Sequence, residues 1–182
     1  MLVMPSDHYT PDKTAFGDMV QLGTALALGG QLVTFGLTPD RMETGFGYME
    51  IVEKPRESCC AVAKFHEKPC HQVAEKMIAK GNYLWNSGIF LFKASTILSF
   101  AKQLAPEILA AVLSSVASSK QDNCFWHIAE LPWERFKSQS FDHAILEKTD
   151  QISCVRFVGI WSDLGDWNSL VSLLKKKMMK IL

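Results

Sequence analysis

Apolar and polar positions along the chain switch between two periods. Leu2-Val3-Met4, Leu32-Val33-Thr34-Phe35-Gly36, Tyr48 to Val52, Ala61-Val62-Ala63 with Phe65, Ile89-Phe90-Leu91-Phe92 and Ile152 to Val158 are short apolar runs or alternations, and they predict strands. Between them the period lengthens. Phe16, Met19, Val20, Gly23, Leu26 and Ala27 recur at helical spacing, with Thr14 as the N-cap and Gly29-Gly30 as the stop. Val73, Ala74, Met77 and Ile78 share one helical face, and Gly81 ends it. Ser95 caps a predicted helix through Ile97, Leu98, Ala101 and Leu104. Pro106 fits the first turn of another, with Ile108, Leu109, Val112, Leu113 and Val116 on its face. Phe141 to Lys148 predicts a short helix. Asp166 caps a last one with Trp167, Leu170, Val171 and Leu174 inward and Lys175-Lys176-Lys177 at its negative end. Pro39 to Gly47 and Ser118 to Asn123 read as polar loops, and Leu131 to Gln139 has no clear period.

Strands alternating with helices predict an α/β fold: a mostly parallel, doubly wound, Rossmann-like sheet with a small antiparallel addition between Gly45 and Phe65. The chain is organised around Lys64 to Ala94, a strand-helix-strand unit of about the minimum length for a parallel crossover, roughly 30 residues. Glu67-Lys68 ends its first strand and Asn86-Ser87-Gly88 interrupts its second. In α/β sheets the loops at the carboxyl ends of strands bind ligands. The opening Leu2-Val3-Met4 reads as a core strand with no lead-in, so the expectation is that the N-terminal part of a larger fold is missing.

Composition narrows the function classes. The 182 residues suffice for one sizeable core. Lys+Arg and Asp+Glu are both 19, and this zero formal charge gives no support for nucleic acid or an anionic membrane as a bulk partner. No apolar run approaches the ~18 residues of a transmembrane helix. Cys59, Cys60, Cys70, Cys124 and Cys154 are odd in number and form no CxxC pair, which favours reduced thiols and a cytoplasmic setting over disulfides or structural zinc.

The candidate chemistry is oxygen-rich. Asp7, in Pro5-Ser6-Asp7-His8, follows the first strand. Asp163, in Gly159-Ile160-Trp161-Ser162-Asp163-Leu164-Gly165, follows the last. Each taken alone is simplest as a cap or turn residue. After two strands of one doubly wound sheet they can converge, and paired carboxylates suit a hard cation such as Mg²⁺. Glu43-Thr44-Gly45-Phe46-Gly47-Tyr48 lets backbone approach a ligand closely, or is an ordinary turn; it lacks the dinucleotide-binding spacing. Glu67-Lys68 is either a surface ion pair or a sugar-hydroxyl acceptor beside a phosphate-binding cation. Asn86 and Gly88 are either site residues or a strand bulge. The five histidines show no ligand spacing, and no nucleophile set stands out.

In this order and spacing the motifs resemble the mannose-1-phosphate guanylyltransferases, within the sugar-phosphate nucleotidyltransferases. The resemblance runs through Val3 to His8, Leu32 to Gly36, Glu43 to Tyr48, Phe65 to Pro69, Tyr83 to Phe92, Phe141 to Thr149 and Trp161 to Gly165. It implies transfer of GMP from GTP to mannose 1-phosphate, giving GDP-mannose and pyrophosphate. It implies that Asp7 and Asp163 hold Mg²⁺, that Gly47, Glu67, Asn86 and Gly88 contact the hexose, and that Lys68 meets its phosphate. A homo-oligomer is compatible with it.

The departures are specific. The family's glycine-rich nucleotide-binding signature belongs well before the Asp7 motif and is absent, as is any β-helix or cupin-like extension. His66 stands where the family more often has valine, and Asp142-His143 where it often has Asp-Tyr. The expectation is one domain over 1–182, the sugar-phosphate-binding and metal-binding portion of such an enzyme. The competing expectation is a non-catalytic truncated paralogue that binds a sugar phosphate or regulates a full-length partner.

Overall fold

The structure is a computed structural model that describes residues 1–52, 58–134, 138–165, 167 and 170–171. The expected last helix, from the cap at Asp166 to Leu174 and Lys175-Lys176-Lys177, lies mostly outside the described residues. The strands are β1 (Leu2–Val3), β2 (Leu32–Leu37), β3 (Tyr48–Ile51), β4 (Cys59–His66), β5 (Tyr83–Leu91), β6 (Lys120–Asp122), β7 (Phe125–His127) and β8 (Ile152–Arg156). The helices are α1 (Lys13–Leu28), α2 (His71–Lys80), α3 (Ala94–Leu104), α4 (Pro106–Ala117), α5 (Leu131–Glu134) and α6 (Phe141–Ala144), followed by a 3-10 turn at Leu146–Lys148.

Six strands form one sheet in the order β1-β5-β2-β8-β4-β3, and β3 pairs with β5 as well. This sheet is mixed, which corrects the expectation of a mostly parallel one. Among the described residues only β2 and β8 pair in parallel, in register from Leu32 opposite Ile152 to Gly36 opposite Arg156. The reason is β5, which inserts antiparallel to β1, β2 and β3. A strand buried on both faces shows the same apolar run whichever way its neighbours point, so direction was not readable from the pattern. The crossover is present in altered form. β4 and β5 each pair antiparallel with β3, so they point the same way with β3 between them.

Helices pack against both faces of the sheet. Alternation along β2 splits the apolar residues between two cores. Leu32 joins Met49, Leu84, Phe90, Ile152 and Cys154 against Phe100 of α3 and Leu146. Val33 and Phe35 join Tyr48, Trp85 and Val155 against α1 (Met19, Ala27) and α2 (Ala74, Met77). Full burial of each large apolar side chain contributes ~1.5–3 kcal/mol.

Several local expectations change. α1 is capped by Asp12, whose carboxylate accepts from the Ala15 N–H at 2.9 Å, and not by Thr14. Lys93 occupies the cap position of α3, not Ser95. β1 is an exposed edge strand paired with β5, with Leu2 and Val3 uncovered, not a core strand. The polar stretch from Ser118 contains β6, which a turn at Asn123 (φ 52°) joins to β7; asparagine tolerates that left-handed geometry.

Candidate functional site

β5 bulges at the centre of the site. Thr34 to Gly36 of β2 faces Phe90 to Asn86 of β5, so two steps along one strand match four along the other. The bulge expected as the simpler reading of Asn86-Ser87-Gly88 is therefore present, and it does not exclude a site. Asn86 is buried, and its side-chain oxygen accepts from Thr34 Oγ1 at 2.6 Å and from the Gly88 N–H at 3.3 Å. Its amide nitrogen donates to Asp142 Oδ1 at 3.4 Å. Gly88 sits at φ 72°, a conformation that costs other residues strain, and a Cβ added there would meet the side chains of Pro5 and His8 at 3.6 and 3.8 Å.

One side of Asn86 leads to an acidic group. Glu67 follows the last residue of β4 with its side chain 9% exposed, 3.5 Å from the open Lys68 ammonium. Gly47 closes over this acid: an added Cβ would lie 2.6 Å from Phe65 Cζ and 3.0 Å from Glu67 Oε2. Burial raises the proton affinity of Glu67, and the nearby charge of Asp142 adds to it. Asp142 is likewise pushed up, chiefly by burial. Glu67 and Lys68 line a cavity of about 760 Å³ together with Ser138, Gln139, Ser140 and His143. The cavity presents a carboxylate that accepts, an ammonium that donates, and hydroxyls, the functional groups that recognise a polyol bearing an anion.

The other side leads to Asp7 and Asp163. An isolated antiparallel bridge joins Tyr9 to Ser162, with N–H to oxygen distances of 2.8 and 3.1 Å. It draws the two loops together although they lie near opposite ends of the sequence. Burial lowers the pKa of His8, and the negative charges of Asp7 and then Asp163 oppose that shift. The His8 ring meets Trp161 edge-on at 5.1 Å. The glycine loop is anchored here too, since Phe46 packs against both Trp85 and Trp161. Two carboxylates with open surroundings are a hard-oxygen donor set that fits Mg²⁺ completed by phosphate oxygens and water. Among the described residues no group of three or more histidine, cysteine, aspartate or glutamate side chains could hold a metal.

Of the seven sequence candidates, Asp7 and Asp163 both act on His8, Gly88 is bonded to Asn86, and Lys68 and Gly47 both adjoin Glu67. The structure adds Thr34, Asp142, His143 and Glu147. Asp142 and Glu147 lie in the Phe141–Thr149 stretch that carried the family resemblance, but no role attached to them there. Their part is set by contacts across 56 and 80 positions, which local spacing does not encode.

A mixed α/β domain whose strand-end loops gather acids, an amide and a cation beside a cavity is suited to binding a small polar ligand. The chain belongs to the nucleotidyl transferase family, whose model matches residues 1–179. It is 38% identical over 176 residues to the mannose-1-phosphate guanylyltransferase RfbM of Salmonella typhimurium, an alignment that takes in 97% of this chain and 37% of that protein. Among solved structures, a Helicobacter pylori protein named mannose-6-phosphate isomerase superposes with a TM-score of 0.81 at 31% identity, over 88% of this chain and 62% of that one. A Thermus thermophilus protein named mannose-1-phosphate geranyltransferase also gives 0.81, at 29% identity, over 95% of this chain and 49% of that one. The chain therefore spans about 37% of the length of the curated relative it matches. No helix among the described residues is long and apolar enough to cross a membrane.

Proposed function

We propose that this chain is the sugar-phosphate-binding and metal-binding portion of a cytoplasmic enzyme that transfers GMP from GTP to mannose 1-phosphate. The observation that carries the reading is the place of Asn86 at the β5 bulge, bonded to Asp142, whose charge acts on the cavity residue Glu67, and to Gly88, beside which His8 lies near Asp7 and Asp163. The name of the Salmonella relative supplies guanylyl transfer and mannose 1-phosphate as the particular case.

In that reaction a phosphate oxygen of the sugar phosphate attacks the α-phosphorus of GTP. A new P–O bond forms, the α–β P–O bond breaks, and its electron pair leaves with pyrophosphate. No covalent enzyme intermediate is required, so the protein contributes positioning and charge neutralisation. Glu67 and Asp142 accept from hexose hydroxyls, Asn86 fixes Asp142 and the Gly88 bulge, and Lys68 meets the sugar's phosphate as a point charge. Mg²⁺, which Asp7 and Asp163 would hold, supplies neutralisation of the phosphate oxygens when bound.

Calorimetric titration with mannose 1-phosphate, with mannose and inorganic phosphate as controls, tests the reading. The expected result is saturable binding of mannose 1-phosphate and weaker binding of either control. Equal heats for all three would reject a sugar-phosphate site.

A further inference from the structure

We infer that Glu147 is the positioning residue that holds the Glu67-Lys68 turn against the cavity; this rests on the sugar-phosphate reading above. The turn needs a restraint. Lys68 has φ 43°, a left-handed conformation that a lysine keeps only where its surroundings impose it. The sheet does not supply the restraint, because its last pairing here is His66 with Tyr48. Beyond it the Glu67 N–H points away from β3 and donates to Glu147 Oε1 at 3.1 Å, across 80 positions.

Glu147 is itself well fixed. It sits in the 3-10 turn between Leu146, which is 1% exposed, and Lys148, with Ile145 buried just before it. Its second oxygen lies 2.8 Å from His143 Nδ1. His143 belongs to α6, whose first turn is capped by Ser140 Oγ accepting from the His143 N–H at 3.3 Å. One carboxylate therefore ties the β4–α2 turn to α6 and the 3-10 turn. Glu67, Lys68, Ser140 and His143 all line the cavity, and Glu147 bonds to two of them, Glu67 and His143. Its own charge is favoured: burial opposes ionisation, yet the His143 and Glu67 N–H hydrogen bonds hold its pKa below the ordinary value.

Two readouts on the whole chain test this. Calorimetry gives affinity for mannose 1-phosphate, and amide hydrogen exchange reports the Glu67 N–H. Glu147→Ala is expected to weaken binding about tenfold or more and to speed Glu67 exchange by a similar factor. Glu147→Gln keeps an oxygen that accepts from Glu67 N–H, so both measurements should return to within about threefold of wild type. Should the alanine variant not fold, Glu147→Asp, one methylene too short to span both partners, carries the same expectation. Unchanged exchange at Glu67 in the alanine or aspartate variant overturns the inference, as does equal weakening by glutamine and alanine. If the unsubstituted chain does not bind mannose 1-phosphate, the sugar reading fails, and the exchange data still decide whether Glu147 restrains the turn.

Discussion

Asn86 Nδ2 lies 3.4 Å from Asp142 Oδ1, joining the bulge of β5 to the first turn of α6 across 56 positions of sequence. The same amide's oxygen is filled by Thr34 and the Gly88 N–H. Each hydrogen bond of this buried side chain shapes the site. Its removal leaves the Gly88 bulge amide without this acceptor and the buried Thr34 hydroxyl with only its longer bond to the Ile89 carbonyl, at 3.2 Å. Asn86→Ala is expected to cost ~1–3 kcal/mol of stability in urea unfolding and to abolish calorimetric binding of mannose 1-phosphate. A variant as stable as wild type would show that these contacts are replaceable.

Lys68 makes the opposite case. It is 63% exposed and its partner Glu67 is only 9% exposed, so the ammonium is free to reach a ligand while its removal leaves no cavity. Lys68→Ala should leave the unfolding free energy within about 0.5 kcal/mol of wild type. Affinity for mannose 1-phosphate should fall roughly tenfold to a hundredfold, the cost of one charged hydrogen bond. Unchanged affinity would return Lys68 to the solvated surface.

Gly47 tests how tightly the loop closes on the acid. A methyl group there meets Phe65 Cζ at 2.6 Å, and Phe65 is core. Gly47→Ala is expected to destabilise by ~1–3 kcal/mol through overpacking and to weaken sugar-phosphate binding by displacing Glu67. A melting temperature equal to wild type would mean that the ring yields without cost.

The pH dependence follows from two carboxyls whose proton affinities are raised in the fold, Asp142 and Glu67, both chiefly by burial. Its sign is set by which state releases the proton first. Below the unfolded carboxyl range, about pH 4, both states hold the proton and the group is neutral in its effect. As pH rises through that range the unfolded chain releases the proton first, and the penalty on the fold grows until the raised folded pKa is passed. Asp142→Asn removes one such group while its side-chain oxygen can still accept from Asn86. It should therefore raise the melting temperature at pH 7 relative to wild type, leave it nearly equal at pH 4, and weaken mannose 1-phosphate binding. A stability difference independent of pH would show that the carboxyl is not strained.

The sequence made some of this legible and hid the rest for physical reasons. The helical stripe on α1 holds, because one-sided burial writes a 3.6-residue period into the chain, and on α2 Ala74 and Met77 are buried while Val73 is exposed. The antiparallel β3–β4 pair was visible in two closely spaced strands, and Phe65, Trp85, Phe90 and Phe92 are core as their apolarity implied. Strand direction was not visible, because burial on both faces of β2 and β5 erases the pattern that would record neighbours. β1 misled for the reverse reason: its apolar residues imply cover that β5 alone does not give. Within the site, Glu67, Lys68 and Asn86 were legible because polar residues interrupt apolar runs. Glu147 was not, because its task is to accept one backbone N–H, and nothing about a glutamate in a short turn records what it accepts.

Asp7 and Asp163 carry the last prediction, and His8 is the reporter. Both carboxylates raise the histidine's proton affinity against the larger lowering effect of burial. Asp7→Asn and Asp163→Asn should each lower the His8 pKa further in an NMR titration, with the larger change for Asp7, the stronger of the two influences. A cation between the carboxylates acts in the same direction, because its charge opposes protonation of the imidazole. Mg²⁺ should therefore lower the His8 pKa in the unsubstituted chain, and Mn²⁺ should broaden the His8 and Trp161 ring signals. In the double variant neither ion should have an effect. Two carboxylates alone hold Mg²⁺ weakly, so both effects should strengthen when pyrophosphate is added to supply the remaining oxygens. Asparagine is itself a good cap. If the two aspartates only cap turns, the variants will shift the His8 titration but the ions will leave wild type and variants alike unchanged, and the metal site is then lost while the electrostatic coupling stands.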